Sequence, residues 1–299
     1  MNQQLISKAV EIWKEGPKPV IAGEYHDNWY NRLSSSFLKS FSDCNYGTIM
    51  KSILQRDLEP ADESLFPKAP EWEATGHFVE NYVFMGNKGK NEMIAKYRNN
   101  FFNIAKLKKT PSEYVHSSDY KKAVSYADRI LREKVIMDYI RHEHSQYHVV
   151  IEFDINGVPF KCEIDCLNLV LLFELDFKTS RDINQEIYNK KSRKWESYIK
   201  LNDYGTQRAI YRHAIYQKHE VDVLPMIAAV SKEDVPDAAL YEFRRKDLLD
   251  AKIEDVAESL PAILEVLEGK KKPMQCGICD YCKTDKEVTG VRVVADGDY

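Results

Sequence analysis

The sequence predicts an α/β fold, a small mixed β-sheet flanked by helices, on three observations. Residues 149–155 and 158–164 flank Asn156-Gly157, the dipeptide best suited to a tight hairpin turn, and read as two paired strands. Residues 173–180, Phe-Glu-Leu-Asp-Phe-Lys-Thr-Ser, alternate as a strand should, with Phe173, Leu175 and Phe177 on one face and Glu174, Asp176 and Lys178 on the other. On both sides of this strand-rich middle, apolar residues recur at helical spacing.

Taken in order, residues 1–19 carry a short helical stripe (Leu5, Ile6, Ala9, Val10, Trp13) ending at Gly16-Pro17. Residues 30–53 contain Ser34-Ser35-Ser36, which suit a helix cap, before Phe37, Leu38 and Phe41. Residues 59–72 are rich in proline and acids and read as a loop; residues 75–85 read as a helix bearing His77. Residues 86–109 are basic, with seven Lys or Arg against one Glu and with Tyr97, Phe101 and Phe102 interleaved. A single amphipathic helix is expected over residues 119–140. After the hairpin and the octet, residues 183–199 and 204–218 read as helices and 221–230 as an apolar strand. Residues 238–269 read as one or two helices with acidic faces, followed by a cysteine cluster. With no repeat and no low-complexity linker, one domain is expected over residues 1–285, with a polar tail over 286–299.

Composition narrows the function. The 299 residues are 30% charged and 43% hydrophobic with mean hydropathy −0.51, which fits a soluble protein. No apolar run approaches the roughly 18 residues of a membrane span. The first 20 residues lack a charged start followed by an apolar stretch, so no secretory leader is expected and a cytoplasmic location is. A net charge of −4 excludes a chain that is basic throughout, so contact with DNA has to come from local patches. Six cysteines are too few for a disulfide scaffold, whereas Cys276, Cys279 and Cys282 within seven positions suggest a metal.

The octet carries the chemistry. Three charged groups on one side of an apolar strand are costly unless that side meets a metal, a phosphate or water. An acid two residues before a lysine suits phosphodiester cleavage, the carboxylate holding Mg²⁺ and the ammonium positioning water or meeting phosphate charge. Asp165 ends the second hairpin strand, and a short turn through Leu167 and Asn168 brings it beside Asp176 on a neighbouring antiparallel strand. Two carboxylates at that separation repel unless a divalent cation sits between them.

Asp165 followed by Asp176-Phe177-Lys178 resembles the PD-(D/E)XK nuclease superfamily, and within it the RecB-like group and RecE-type exonucleases (exonuclease VIII). The resemblance implies a restriction-endonuclease-like core in which Asp165, Asp176 and the Phe177 backbone carbonyl bind Mg²⁺ or Mn²⁺ while Lys178 serves the nucleophilic water. Thr75-Gly76-His77 is similar to the helix that presents a metal-binding histidine, which makes His77 a ligand and catalytic candidate. Gln207-x-x-x-Tyr211 resembles the group's Gln-x-x-x-Tyr motif, and its i, i+4 spacing puts both side chains on one helix face toward DNA. Glu174 lies outside the minimal pattern, as a further ligand, a supporting group or the partner of an Arg or Lys. The resemblance covers roughly residues 30–283. It implies 5′→3′ digestion of one strand from linear duplex ends, a ring-shaped homo-oligomer, a single-strand annealing protein as partner, and a bacterial or phage-infected cell. A nuclease of the CRISPR-adaptation type acting on single strands is the alternative enzyme, and a DNA-binding module with structural zinc is the non-catalytic one.

Cys276-Gly-Ile-Cys279-Asp-Tyr-Cys282 has the spacing that lets three thiolates reach one iron–sulfur cubane, and Cys44 is the candidate fourth ligand. Ser36, Leu38, Phe41 and Cys44 resemble the Ser-x-Leu-x-x-Phe-x-x-Cys segment of iron–sulfur members of the RecB-like group, which implies a [4Fe–4S] cluster joining the two ends of the domain. Asn45 stands where those relatives carry proline, and the last cysteine gap is shorter. Zinc and unligated thiols stay open as alternatives. For phosphate contact the candidates are residues 86–109 and Lys190, Lys191, Arg193 and Lys194, with Trp195, Phe101 or Phe102 to stack on unpaired bases.

Overall fold

The computed structural model describes residues 3–21, 24–25, 28–56, 69–102, 116–189 and 192–286. Its centre is a five-stranded mixed sheet of order β1-β2-β3-β6-β7, built from β1 (Gln146–Ile155), β2 (Val158–Asn168), β3 (Phe173–Ser180), β6 (Leu224–Ser231) and β7 (Ala238–Glu242). β3 and β6 run parallel from Phe173↔Leu224 to Ser180↔Ser231, and the other neighbours are antiparallel. Asn156 and Gly157 both take positive φ (50° and 76°), the backbone that matches a two-residue turn to strand twist. The octet forms β3 over its whole length.

Helices cover both faces. On one side α4 (Glu71–Lys96), α6 (Ser118–Leu131) and α7 (Lys134–Ile140) bury Phe78, Ala127 and Ile136 against Phe173, Leu175 and Phe177 of β3 and Met226 and Ala228 of β6. On the other, α2 (Ser35–Asp43), α9 (Tyr204–His219) and α10 (Lys246–Leu267) pack Phe37, Ile210 and Leu260 with Phe153, Phe160 and Ile164 of the hairpin. Three further helices are α1 (Gln3–Lys14), α3 (Asn45–Thr48) and α5 (Arg98–Phe101). Ser34 caps α2 by accepting from the Phe37 N–H, as its position in the serine run suggests.

Four expectations change. Residues 183–199 hold a two-stranded hairpin, β4 (Ile187–Asn189) and β5 (Lys194–Glu196), and the start of α8 (Tyr198–Leu201), not one helix. Buried Glu196 accepts from Asn189 Nδ2 and Ser192 Oγ across the turn, while Tyr188 and Trp195 pair outside, so no helical apolar stripe exists to bury. Residues 238–242 are the edge strand β7, because their backbone completes the open side of β6 and tertiary pairing overrides alanine's helix propensity. The expected helix over 119–140 breaks into α6 and α7 at Glu133, whose backbone is extended (φ −81°, ψ 95°). The segment over 30–53 breaks at Cys44 (φ −159°, ψ 101°), after which α3 leads into one turn of π-helix at Ile49–Ile53. The tail beyond residue 286 lies outside the described residues.

Phe160 is fully buried and packs in a tilted pair with Phe153, 5.5 Å between ring centroids. Phe160→Ala is expected to lower unfolding free energy by about 3–5 kcal/mol in urea denaturation; a loss below about 1 kcal/mol contradicts this packing.

Candidate active site

The site forms where two strands part. β2 and β3 pair through Asn168↔Phe173, Leu167↔Glu174 and Cys166↔Leu175, and the pairing stops there. Asp165 and Asp176 are the next residues on each strand. The Phe177 N–H donates to Oδ2 of Asp165 at 2.7 Å, so a side-chain carboxylate accepts the bond where strand pairing has ended. The close approach expected for Asp165 and Asp176 is therefore present, built by a short hairpin and fixed by one hydrogen bond.

The polar face of β3 is buried rather than solvated. Glu174 is 0% and Asp176 1% exposed, and both meet Arg208 of α9, itself 0% exposed. The Arg208 guanidinium donates to Glu174 and, at 2.7 Å, to Oδ1 of Asp176. Lys178 Nζ lies 2.5 Å from Oδ2 of Asp176 in an ion pair, and that buried oxygen has no hydrogen-bond partner besides this ammonium. Burial works against the Lys178 ammonium, yet Asp176 and Asp165 outweigh it and hold the group above the ordinary lysine value. Burial and the charge of Asp176 push the Asp165 carboxyl up to about 6, although Lys178 pulls it down. Burial also lifts Glu174 to about 8 against the pull of Arg208.

A fourth acid joins from α4. Burial and the nearby Asp165 raise the carboxyl of Glu80 well above its usual value. Beside it His148 lies 3.3 Å from Glu163 and 3.8 Å from Glu80, with its own value raised by the hydrogen bond to Glu163. His77, the sequence candidate on this helix, turns to Tyr97, Nδ1 to Oη 2.5 Å. Glu80, one turn further on, is the residue of α4 whose charge bears on Asp165 and Asp176. Sequence reading passed over it because an acid on an amphipathic helix reads as surface; the signal was its i+3 spacing from His77. Arg208 was missed too, and its signal was Glu174, a second buried acid in need of a cation.

These groups open into a cleft of about 1030 Å³ whose lining includes His77, Glu80, Lys178, Gln207, Lys39 and Lys252. Gln207 and Tyr211 share one face of α9 as expected, and Gln207 Nε2 donates to Tyr211 Oη at 3.2 Å. Tyr211 is buried, however, with its ring 4.3 Å from the Arg208 guanidinium, so it supports the acids from below and Gln207 is the member that reaches the cleft.

The other candidates sort by burial. Phe101 is fully buried in the α4–α6 core, and so is withdrawn as a base-stacking group, while Phe102 stacks on His116. Residues 103–109 of the basic stretch, and Lys190 and Lys191, lie outside the described residues. Arg193 and Lys194 are exposed on the β4–β5 hairpin beside Trp195, 65% exposed, and Tyr188, 46% exposed. Cys44, Cys276, Cys279 and Cys282 bring their Sγ atoms within 4.8 Å of one another. Cys44, at the break after α2, thereby meets α11 (Asp280–Thr284), with Sγ–Sγ distances of 3.5 Å to Cys282 and 3.7 Å to Cys279. The Gly47 N–H donates to Cys44 Sγ and the Cys279 N–H to Cys276 Sγ. A Cβ on Gly47 would sit 3.0 Å from Cys279 Sγ, so that backbone position closes over the sulfurs.

A mixed sheet between helices, with two aspartates and a lysine where its strands part, is the PD-(D/E)XK nuclease fold. The chain belongs to the family described as a PDDEXK-like domain of unknown function (DUF3799), whose model matches residues 34–285. The fold is similar to the crystal structure of a "Putative exonuclease" from Eubacterium rectale, with TM-score 0.75 and 18% identity over 93% of this chain and 97% of that one. A second structure, SSO0001, aligns over 82% of this chain and 90% of its own at 12% identity, and its TM-score of 0.28 carries no argument. Comparison with curated proteins gives no match. Among the described residues no helix is long and apolar enough to cross a membrane.

Because Asp165 titrates near 6 when folded and near 4 when unfolded, the folded state holds its proton more tightly. Its contribution to stability is therefore full below about pH 4 and is lost as pH rises through about 6. In metal-free protein, Asp165→Asn is expected to gain stability relative to wild type across that window, read by urea denaturation at several pH values. A stability difference that does not vary with pH contradicts the assignment.

Proposed function

We propose that the chain is a divalent-metal-dependent DNA exonuclease hydrolysing phosphodiester bonds. The observation that supports this reading is the convergence of oxygen ligands at the parting strands: Asp165 and Asp176 come together there, the charge of Glu80 bears on both, and Oδ2 of Asp176 is buried with the Lys178 ammonium beside it. Oxygen ligands gathered in this way fit one Mg²⁺ or Mn²⁺. Asp165, Asp176 and Glu80 would hold it, with the Phe177 carbonyl as a further ligand and His77 beside Glu80 in the cleft. When bound, such an ion neutralises phosphate charge and acidifies water. Lys178 stays charged beside Asp176, where it meets the phosphate and orients the attacking water. Gln207 lines the cleft and donates toward the DNA backbone, while Arg193, Lys194 and Trp195 on the hairpin engage the strand outside it, with Lys190 and Lys191 as further phosphate contacts.

By kinship with RecE-type enzymes, the substrate is a linear duplex end, digested 5′→3′ to leave a 3′ tail for a single-strand annealing protein. A homo-oligomeric ring with a positive lumen reconciles DNA binding with a chain of net charge −4. The four cysteines form a structural metal site that ties the region after α2 to the chain's end. Their sulfur spacing, 3.5 and 3.7 Å for two pairs, matches the edge of about 3.8 Å of a tetrahedron with 2.3 Å zinc–sulfur bonds. A [4Fe–4S] cubane puts each thiolate on a different iron and requires the sulfurs to spread, so this spacing favours a single tetrahedral ion such as zinc.

With Mg²⁺, the protein is expected to degrade linear duplex DNA and spare closed circles, and Lys178→Ala to fold and bind DNA while cleaving about 100-fold or more slower. Equal attack on circles, or retained cleavage by the variant, contradicts this reading. Elemental analysis is expected to find one zinc per chain in colourless protein; broad visible absorption with iron and acid-labile sulfide contradicts the single-ion site.

A further inference from the structure

We propose that Arg208 is a positioning residue for the divalent ion, holding Asp176 by one oxygen so that the other is reserved for the metal. The inference rests on the reading that Asp165 and Asp176 bind such an ion. A carboxylate torsion is soft, with a broad two-fold preference, so a metal-binding aspartate needs a partner that fixes its plane. Arg208 is that partner. One nitrogen of its planar fork donates to Oδ1 of Asp176 at 2.7 Å and the other to Glu174. The guanidinium lies over the ring of Tyr211, 4.3 Å from its centroid, so its own orientation is fixed from below. All three charged side chains are at most 1% exposed. Glu174 thus anchors the fork, and the fork aims Asp176.

The pattern of unmet hydrogen bonds separates this role from plain charge burial. A triad serving only stability is expected to satisfy its polar atoms, because each buried unmet group costs free energy. Here Oε1 of Glu174 and Nε of Arg208 lack hydrogen-bond partners, and Oδ2 of Asp176 meets only the Lys178 ammonium. That oxygen of Asp176 is the one beside Lys178, and Lys178 lines the cleft. Arg208 also keeps Oδ1 from swinging into the ion's coordination, which limits Asp176 to one oxygen on the metal.

Removing Arg208 alone strands two buried acids, so the test replaces the pair. Arg208→Met/Glu174→Met puts apolar groups of similar volume in its place, a change that buried ion pairs often tolerate without loss of stability. Mn²⁺ binding to the purified protein is followed by calorimetry, with Asp176→Ala identifying the heat that belongs to this site, and thermal melting is followed alongside. The double variant is expected to melt at or above the wild-type temperature yet bind Mn²⁺ about 10- to 100-fold more weakly. Arg208→Lys, which keeps the charge but loses the fork, is expected to be weakened as well. Wild-type Mn²⁺ affinity in either variant overturns the proposal and leaves Arg208 a structural counter-ion. Absence of Asp176-dependent Mn²⁺ binding in the wild type itself overturns the underlying metal reading, a result that the variants cannot mimic.

Discussion

Four acids gathered around two cations form the constraint on which this molecule depends. Glu80, Asp165, Glu174 and Asp176 come from one helix and two strands; fully buried Glu174 and Asp176 pair with Arg208 and Lys178, and Asp165 and Glu80 feel the Lys178 charge. Carboxylates packed this way repel one another and lose water, which explains why Asp165, Glu174 and Glu80 all hold their protons more tightly than usual. A fold selected for stability alone would replace such a cluster with apolar groups. Its retention makes sense if a divalent ion completes the charge.

The surrounding architecture delivers the acids to one place. A tight Asn-Gly turn sets the register of β1 and β2, and that register decides which residue of β2 reaches the end of its pairing with β3. The parallel partner β6, apolar over Pro225–Val230 and buried through Ser231, backs β3 along its other edge. α9 then crosses one face and inserts Arg208, while α4 covers the other face and brings Glu80. The four thiols bring together residues more than 230 positions apart, and an ion among them would close a long loop that packing alone must otherwise hold.

Much of this was legible in the sequence because the chemistry and the strand pattern coincide. The octet showed both its strand and its charged face; the Asn156-Gly157 turn fixed the hairpin; Asp165 followed from the length of the connection. Cys276, Cys279 and Cys282 were legible from their spacing, and Cys44 from the resemblance of the segment that carries it. What could not be read were contacts set by tertiary packing. Arg208 sits in a helix between Gln207 and Ala209, and nothing local says that its guanidinium is inside. Glu80 and His77 share a helix face, and only the docking angle of α4 decides which one meets the acids. The β4–β5 hairpin carries its aromatics outside, so it has no apolar period to detect. β7 is an edge strand whose identity comes from its partner. Phe101 looked like a nucleic-acid contact among lysines but belongs to the core.

The central claim is that one divalent ion sits where β2 and β3 part. The most direct measurement is the anomalous scattering of a crystal grown with Mn²⁺. The account expects one strong anomalous peak within about 2.3 Å of Oδ2 of Asp176 and of an Asp165 oxygen, with Glu80 turned toward it. Well-ordered carboxylates with no peak between them, or a peak held by other residues, would contradict it.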